Sequence, residues 1–169
     1  MSGLFVRTNP MNRRLAVAVL VGIAGGILSA MVKSGFEDIV PPRLPDAVPP
    51  PIELLQMMGL DAAKMTYTWL KQAVNYGGNG VHYLFSVVFA VLYCAAAEVF
   101  PKVKMAWGLV YGYAVAFGSH YVVFPLIGLP VDFTVEGFVS ECIGTALWML
   151  CIEIVRRDLR NRWTGLPDA

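Results

Sequence analysis

Four long apolar runs, separated by polar segments, constrain the fold of this chain of 169 residues more than any other feature. A helix that crosses the hydrocarbon core of a bilayer needs about 20 mostly apolar residues. The runs fall at approximately residues 15–33, 81–100, 107–127 and 135–155. Hydrophobic residues make up 57% of the chain and charged residues 15%, which is too apolar for a soluble core. The sequence predicts an all-α, polytopic membrane protein that forms one membrane domain over residues 1–169.

The first run resembles a secretory signal in one respect, because Arg13 and Arg14 precede it. It is longer than the roughly 7–15 residues of a signal core, and Leu28 does not suit a cleavage site that requires small residues. We therefore expect a retained transmembrane helix. Pro101 follows the second run and is expected to end that helix.

The distribution of cationic residues predicts the orientation. Nine Lys and Arg residues lie before the first run, between the second and third, and after the fourth, whereas four lie on the opposite side. Cytoplasmic segments carry the excess of Lys and Arg. Both termini are therefore predicted to be cytoplasmic. The nine are Arg7, Arg13, Arg14, Lys102, Lys104, Arg156, Arg157, Arg160 and Arg162.

Residues 36–79 form the long outer loop. Its first part, "PPRLPDAVPPP", predicts an extended polyproline II spacer. The segments "PIELLQMMGL" and "DAAKMTYTWLKQAVNY" suggest helix, with Asp61 as a cap and Met65, Trp69 and Ala73 on one face. We expect an interfacial helix that supports the membrane domain; the alternative is a peptide-recognition helix. "NYGGNG" is expected to break the chain before the second span.

Small residues recur at every fourth position in two spans. Gly22, Gly26 and Ala30 form one stripe, and a second consists of Gly108, Gly112 and Ala116. Such stripes let transmembrane helices approach closely. His120 lies four residues after Ala116 and so continues the second stripe. It is therefore expected to face the other helices.

Four ionisable residues should lie in the outward half of the membrane: Lys33, His82, His120 and Glu141. Ionisable groups inside a membrane normally face the protein interior or a water-filled cavity. They could form a purely structural set, in which Lys33 pairs with Glu37 or Glu141 and each histidine forms a hydrogen bond. Alternatively, they could sense or relay protons, because imidazole titrates near pH ~6.5. Pro125 is expected either to kink the helix beside His120 or to end it.

A second polar group should lie at the cytoplasmic interface. Glu98 and Glu153 are expected to pair there with Lys102, Arg156 or Arg157 and to anchor the helices.

No catalytic, cofactor-binding or metal-binding residues are predicted. The chain contains no GxSxG, HExxH, P-loop or GxGxxG motif in a suitable context, so an enzyme is not expected. Cys94, Cys142 and Cys151 lack metal-ligand spacing and are interpreted as packing residues. The basic tail "RRDLRNRW" directly follows a span and includes Trp163, so it is expected to meet anionic lipid headgroups and not nucleic acid.

Four segments together resemble the YagU-like family of bacterial inner-membrane proteins. They are "SAMVKSGFEDIVPPRLP", "HYLFSVVFAVLYCAAAEVFPK", "HYVVFPLIGLP" and "SECIGTALWMLCIEIVRRDLRNR". The resemblance weakens at residues 46–79. It implies a four-helix inner-membrane protein associated with survival under acid stress, with no established catalytic residues to carry over. The matching charged or titratable positions are Lys33, Arg43, His82, Glu98, His120, Glu141 and Glu153.

Three functional hypotheses remain. The first is a non-enzymatic inner-membrane protein that supports acid or envelope stress tolerance, with protonation of His82, His120 or Glu141 changing helix packing. The second is a small oligomeric transporter or proton-coupled channel. The third is an accessory subunit that packs its Gly/Ala faces on another membrane protein. The expected partners are the lipid bilayer and either further copies of the chain or another membrane protein.

Overall fold

The structure, a computed structural model of the chain, describes residues 6–129 and 133–166. Four helical segments are long and apolar enough to cross a membrane, as the sequence predicted: Leu15–Ile39 (α1), Tyr76–Val99 (α3), Pro101–Leu126 and Val135–Thr164 (α6). The third begins with an irregular turn and comprises Leu109–Gly118 (α4), a π-helical turn at Ser119–Val123 and Phe124–Leu126 (α5). A short helix, Pro50–Met57 (α2), lies in the outer loop.

Helix α1 packs against both α3 and α6, and the small residues of its stripe allow the close approach to α3. A Cβ atom added to Gly22 would lie 2.6 Å from the Cα atom of Val91, and one added to Gly26 would lie 2.5 Å from that of Val87. Any larger residue would therefore push α1 and α3 apart. The predicted close approach along this stripe is confirmed.

The second stripe contacts α6. A Cβ atom on Gly112 would lie 3.0 Å from the Cβ atom of Met149, and Ala116 is buried one turn further on. A tightly packed core fills the space where the helices meet. It consists of Ala18, Val21, Ala90, Tyr93, Cys94, Trp148, Met149 and Ile152.

One prediction for the outer loop was wrong. The segment expected to form a helix from Asp61 onwards contains an antiparallel hairpin, Thr66–Trp69 (β1) and Gln72–Asn75 (β2). Asp61 forms no capping hydrogen bond and instead pairs with Lys64 at 2.6 Å. The "TYTW" segment is rich in the β-branched and aromatic residues that favour strands, and this preference prevails over the helical spacing.

Two helix boundaries also differ from the prediction. The glycines of "NYGGNG" do not break the chain, because the Asn75 side chain accepts a 2.7 Å hydrogen bond from the Gly78 amide and caps α3. Helix α6 continues to Thr164, so the whole of the basic tail "RRDLRNRW" is helical. Of the two roles considered for Pro125, the structure shows that it lies at the end of the third span, since α5 ends at Leu126.

Candidate polar site at the predicted outward end

An ammonium group bridges two carboxylates between α1 and α6. The Nζ atom of Lys33 lies 2.8 Å from Oε1 of Glu37 and 2.8 Å from Oε1 of Glu141. The three side chains are 12–19% exposed, so solvent screens these ion pairs only weakly. Thr145 adds a hydroxyl donor 3.2 Å from the same oxygen of Glu141.

His120 joins this group from the third span. Its Nδ1 atom lies 4.0 Å from Oε1 of Glu141 and 3.1 Å from the backbone oxygen of Ala116. The ring also packs edge-on against Phe124, with the centroids 5.0 Å apart. The histidine lies within the π-helical turn, an irregularity often found at functional positions in helices.

His82 reaches the same region from the first half of α3. Its Nε2 atom is buried and has no hydrogen-bond partner among the described residues. The ring contacts the backbone of Ala30 on α1, and Lys33, Glu37 and Glu141 are its charged neighbours. The structure thus brings together all four residues assigned to the outward half.

These side chains line a cavity of about 340 Å³. Asp38 and Arg43 contribute further charges to its wall. Arg43 belongs to the Pro-rich segment, which packs so closely on α6 that a Cβ atom at Gly137 would lie 2.5 Å from the Pro42 oxygen. A smaller cavity of about 130 Å³ shares Arg43, His120 and Glu141 and is also lined by Glu53 of α2.

A hydrogen-bonded network that the sequence analysis did not predict also borders the cavity. Trp148 donates its Nε1–H to Ser86 at 2.7 Å, and the Ser86 hydroxyl donates to the Gly26 carbonyl at 2.7 Å. Ser29 lies 3.1 Å from Ser86. These bonds satisfy polar groups at the contact between α1, α3 and α6.

The inner polar group consists of closed ion pairs. Glu98 accepts hydrogen bonds from Arg160 and, at 3.0 Å, from the Arg14 amide. Arg156 binds both oxygens of Glu153, at 2.6 and 2.9 Å, and Tyr93 donates its hydroxyl to that carboxylate at 2.8 Å. The four ionic residues are at most 5% exposed.

The pairing differs from the prediction in one respect. Arg160, which the sequence analysis did not name for this role, binds Glu98. Arg157 instead lies over the Trp107 ring, 4.9 Å from its centroid, and Lys102 lies in the irregular turn before α4. A signal for Arg160 was present, since Glu153, Arg156 and Arg160 follow helical spacing along one face.

Among residues 6–129 and 133–166, no group of three His, Cys, Asp or Glu side chains could hold a metal ion. The three cysteines are free thiols. The arrangement at the predicted outward end therefore offers proton-binding and hydrogen-bonding groups, with the chemistry of imidazole, carboxylate, ammonium and guanidinium.

Four apolar spans with ionisable side chains gathered between them define a polytopic membrane protein. Residues 27–154 match the model of a family described as "Protein of unknown function (DUF1440)". The chain is 38% identical to "Inner membrane protein YagU" of Escherichia coli (strain K12) over 194 aligned positions, covering 98% of this chain and 95% of that protein. The chain therefore belongs to the DUF1440 family, and its resemblance to the YagU-like proteins is confirmed. No solved structure matches it significantly.

Proposed function

We propose that this membrane protein lies in a bacterial inner membrane, where it supports tolerance of acid or envelope stress without catalysing a reaction. Protonation of His82, His120 or Glu141 would change how the helices pack. The observation that carries the proposal is the cavity that these residues share with Lys33. The similarity to an inner membrane protein of Escherichia coli supports the location.

The charge around the cavity gives this proposal its physical basis. The lining cations are Lys33 and Arg43, and the lining carboxylates are Glu37, Asp38 and Glu141. With carboxylates ionised and imidazoles neutral, their formal charge is −1. Protonation of both histidines changes it to +1. Because the groups lie on α1, α3, α6 and the third span, a charge reversal would alter the electrostatic contacts between these elements.

The orientation belongs to the same proposal. Both termini are placed in the cytoplasm by the excess of Lys and Arg in the segments on that side. The cavity then faces the periplasm, the compartment that acidifies first when the surroundings become acidic.

Acid survival of cells tests this function. Cells that lack their own copy would express the parent chain or a His82→Gln/His120→Gln/Glu141→Gln variant at matched abundance. We expect the parent to restore survival and the triple variant to fail. A matched control, Asp158→Asn/Arg162→Gln, changes an exposed ion pair and should behave like the parent. Full survival with the triple variant, folded and abundant, would refute the proposed role.

The pH dependence of thermal unfolding tests the mechanism separately. From about pH 4.5 to 8, a range that brackets the reference histidine pKa, the Tm of the purified parent should change. A His82→Gln/His120→Gln variant should lose most of this change, because its amides do not titrate. Parallel curves for the two proteins would indicate that the rings are structural.

The cavity also favours a second candidate function, a small transporter or proton-coupled channel. Beside the cavity, however, the packed core leaves Ala90, Tyr93 and Met149 fully buried, so a permeation path would require further copies of the chain. Flux of protons or other ions into proteoliposomes would support this alternative. A stoichiometric partner that co-purifies would instead support an accessory subunit.

A further inference from the structure

Two buried side-chain atoms in the described part of the chain have no hydrogen-bond partner, and both belong to residues that line the larger cavity. They are Oε1 of Glu37 and Nε2 of His82. Oε1 of Glu37 lies 2.8 Å from the Lys33 ammonium, which satisfies it electrostatically but outside hydrogen-bonding geometry. Buried polar atoms are normally paired, so these two indicate where a ligand would bind.

The chemistry of the two atoms restricts the ligand. A carboxylate oxygen only accepts hydrogen bonds. Nε2 of His82 has no hydrogen-bond partner among the described residues, and the ring lies against the backbone of Ala30. In the neutral tautomer that carries its proton on Nδ1, Nε2 is an acceptor as well. A ligand that satisfies both atoms must therefore be a hydrogen-bond donor.

The charge and shape of the cavity restrict it further. A formal charge of −1 with neutral imidazoles favours a cation over an anion. Phe85, Leu129 and Trp148 supply apolar wall beside the polar groups. A volume of about 340 Å³ lies at the small end of the roughly 300–1,000 Å³ typical of ligand sites. These properties suit a short alkyl chain that carries an N–H donor.

We propose that the cavity binds a small organic ammonium ion, a protonated primary amine with a short alkyl chain. Its N–H groups donate to Nε2 of His82 and Oε1 of Glu37, and its alkyl part lies against Trp148. Protonation of His82 removes the acceptor and adds positive charge, so acid releases the ligand. This inference rests on the site of the proposed function and names the ligand class for it.

Thermal unfolding of the full chain in lipid nanodiscs tests the inference with ethylammonium chloride as the probe. Sodium chloride controls for ionic strength, and tetramethylammonium chloride supplies a cation without N–H donors. At neutral pH, ethylammonium should raise the Tm saturably, by roughly 3–6 °C at ten times its Kd. The two control salts should not, and the effect of ethylammonium should disappear in acid.

Two substitutions at one position separate the hydrogen bond from packing. His82→Phe keeps a ring but removes the acceptor, so its Kd for ethylammonium should rise at least about tenfold. His82→Gln retains an acceptor oxygen and should still bind. Glu37→Gln, which removes the charge, should weaken binding as well. Circular dichroism and size-exclusion chromatography would establish that each variant is folded.

The outcomes separate this inference from the proposed function. Equal shifts with all three salts, or no shift with ethylammonium, would overturn the ammonium site, since no selective binding of an N–H donor would then occur. If the triple variant nevertheless abolished acid survival, the proposed function would stand without this ligand. Selective binding combined with normal survival of the triple variant would support the site and refute its role in acid tolerance.

Discussion

The two ends of the membrane domain contain similar ionisable groups in opposite arrangements. At the end predicted to face the cytoplasm, which we call the inner end, Glu98 pairs with Arg160 and Glu153 with Arg156, and all four side chains are enclosed by protein. At the end predicted to face outward, one lysine bridges two carboxylates beside a cavity, and two buried side-chain atoms have no hydrogen-bond partner among the described residues.

This difference distinguishes ion pairs enclosed by protein from ionisable groups that line a cavity. A buried, bidentate Arg–carboxylate pair has fixed geometry, and both carboxylate oxygens already accept hydrogen bonds from the guanidinium. The outer group of ionisable residues lines a cavity, includes two histidines and leaves two buried atoms without hydrogen-bond partners among the described residues. Burial of charge alone therefore does not single out a candidate site, and the adjacent cavity is the feature that distinguishes this group.

The largest expected effect comes from breaking an inner pair. Arg160→Ala leaves Glu98 buried without its guanidinium partner, which should destabilise the protein by about 3–5 kcal/mol. Thermal unfolding in detergent would measure the loss. Arg162→Ala is the matched control on the same helix, because its pair with Asp158 is exposed and should contribute at most about 1 kcal/mol. Equal losses of stability in the two variants would show that the buried pair contributes no more than the exposed one.

A smaller effect is expected at the helix contact that connects the two ends. In Gly26→Ala the new Cβ atom would lie 2.5 Å from the Cα atom of Val87, so α1 and α3 must separate, at a cost of about 1–3 kcal/mol. Gly35→Ala on the same helix meets nothing within 4 Å and should be neutral or stabilising. A Gly26→Ala variant as stable as the parent would contradict the close contact between α1 and α3 at this position.

The smallest effect should follow from loss of the outer cation. Lys33→Met leaves Glu37 and Glu141 without their shared partner, but water in the adjacent cavity can solvate them or supply a proton. We expect a loss of about 1–2 kcal/mol near neutral pH. A second change, Glu141→Gln, should restore part of it. If Lys33→Met lost as much stability as Arg160→Ala, the cavity would not relieve the two carboxylates of their missing partner.

The sequence predicted those parts of the fold that follow from hydropathy and periodicity. The four spans were correct because each is a long apolar run, and the contact through Gly22 and Gly26 followed from their helical spacing. Depth in the membrane sufficed to group Lys33 with Glu141, because residues at one level of a small helix assembly are neighbours.

The hairpin had no recognisable turn signal in the sequence, and the partner of Glu98 depends on a long-range contact. The hairpin turn places Leu70 and Lys71 in the left-handed region, which usually calls for Gly or Asn, so no turn signal separated the two strands. Arg160 lies beyond the apolar run, and its pairing with Glu98 depends on the helical continuation of α6 and on the packing of α3. The cavity likewise depends on how the Pro-rich segment folds over the helices.

The pair between Glu98 and Arg160 also has a consequence for how the protein is made. The two residues are 62 positions apart in the chain, so a ribosome that adds about 5–20 residues per second synthesises Glu98 several seconds before Arg160. During that interval, the Glu98 carboxylate exists without the Arg160 guanidinium that later pairs with it. The last helix therefore completes the inner end of the protein, and a nascent chain that stalls before Arg160 would expose an uncompensated acidic group to the membrane insertion and quality-control machinery.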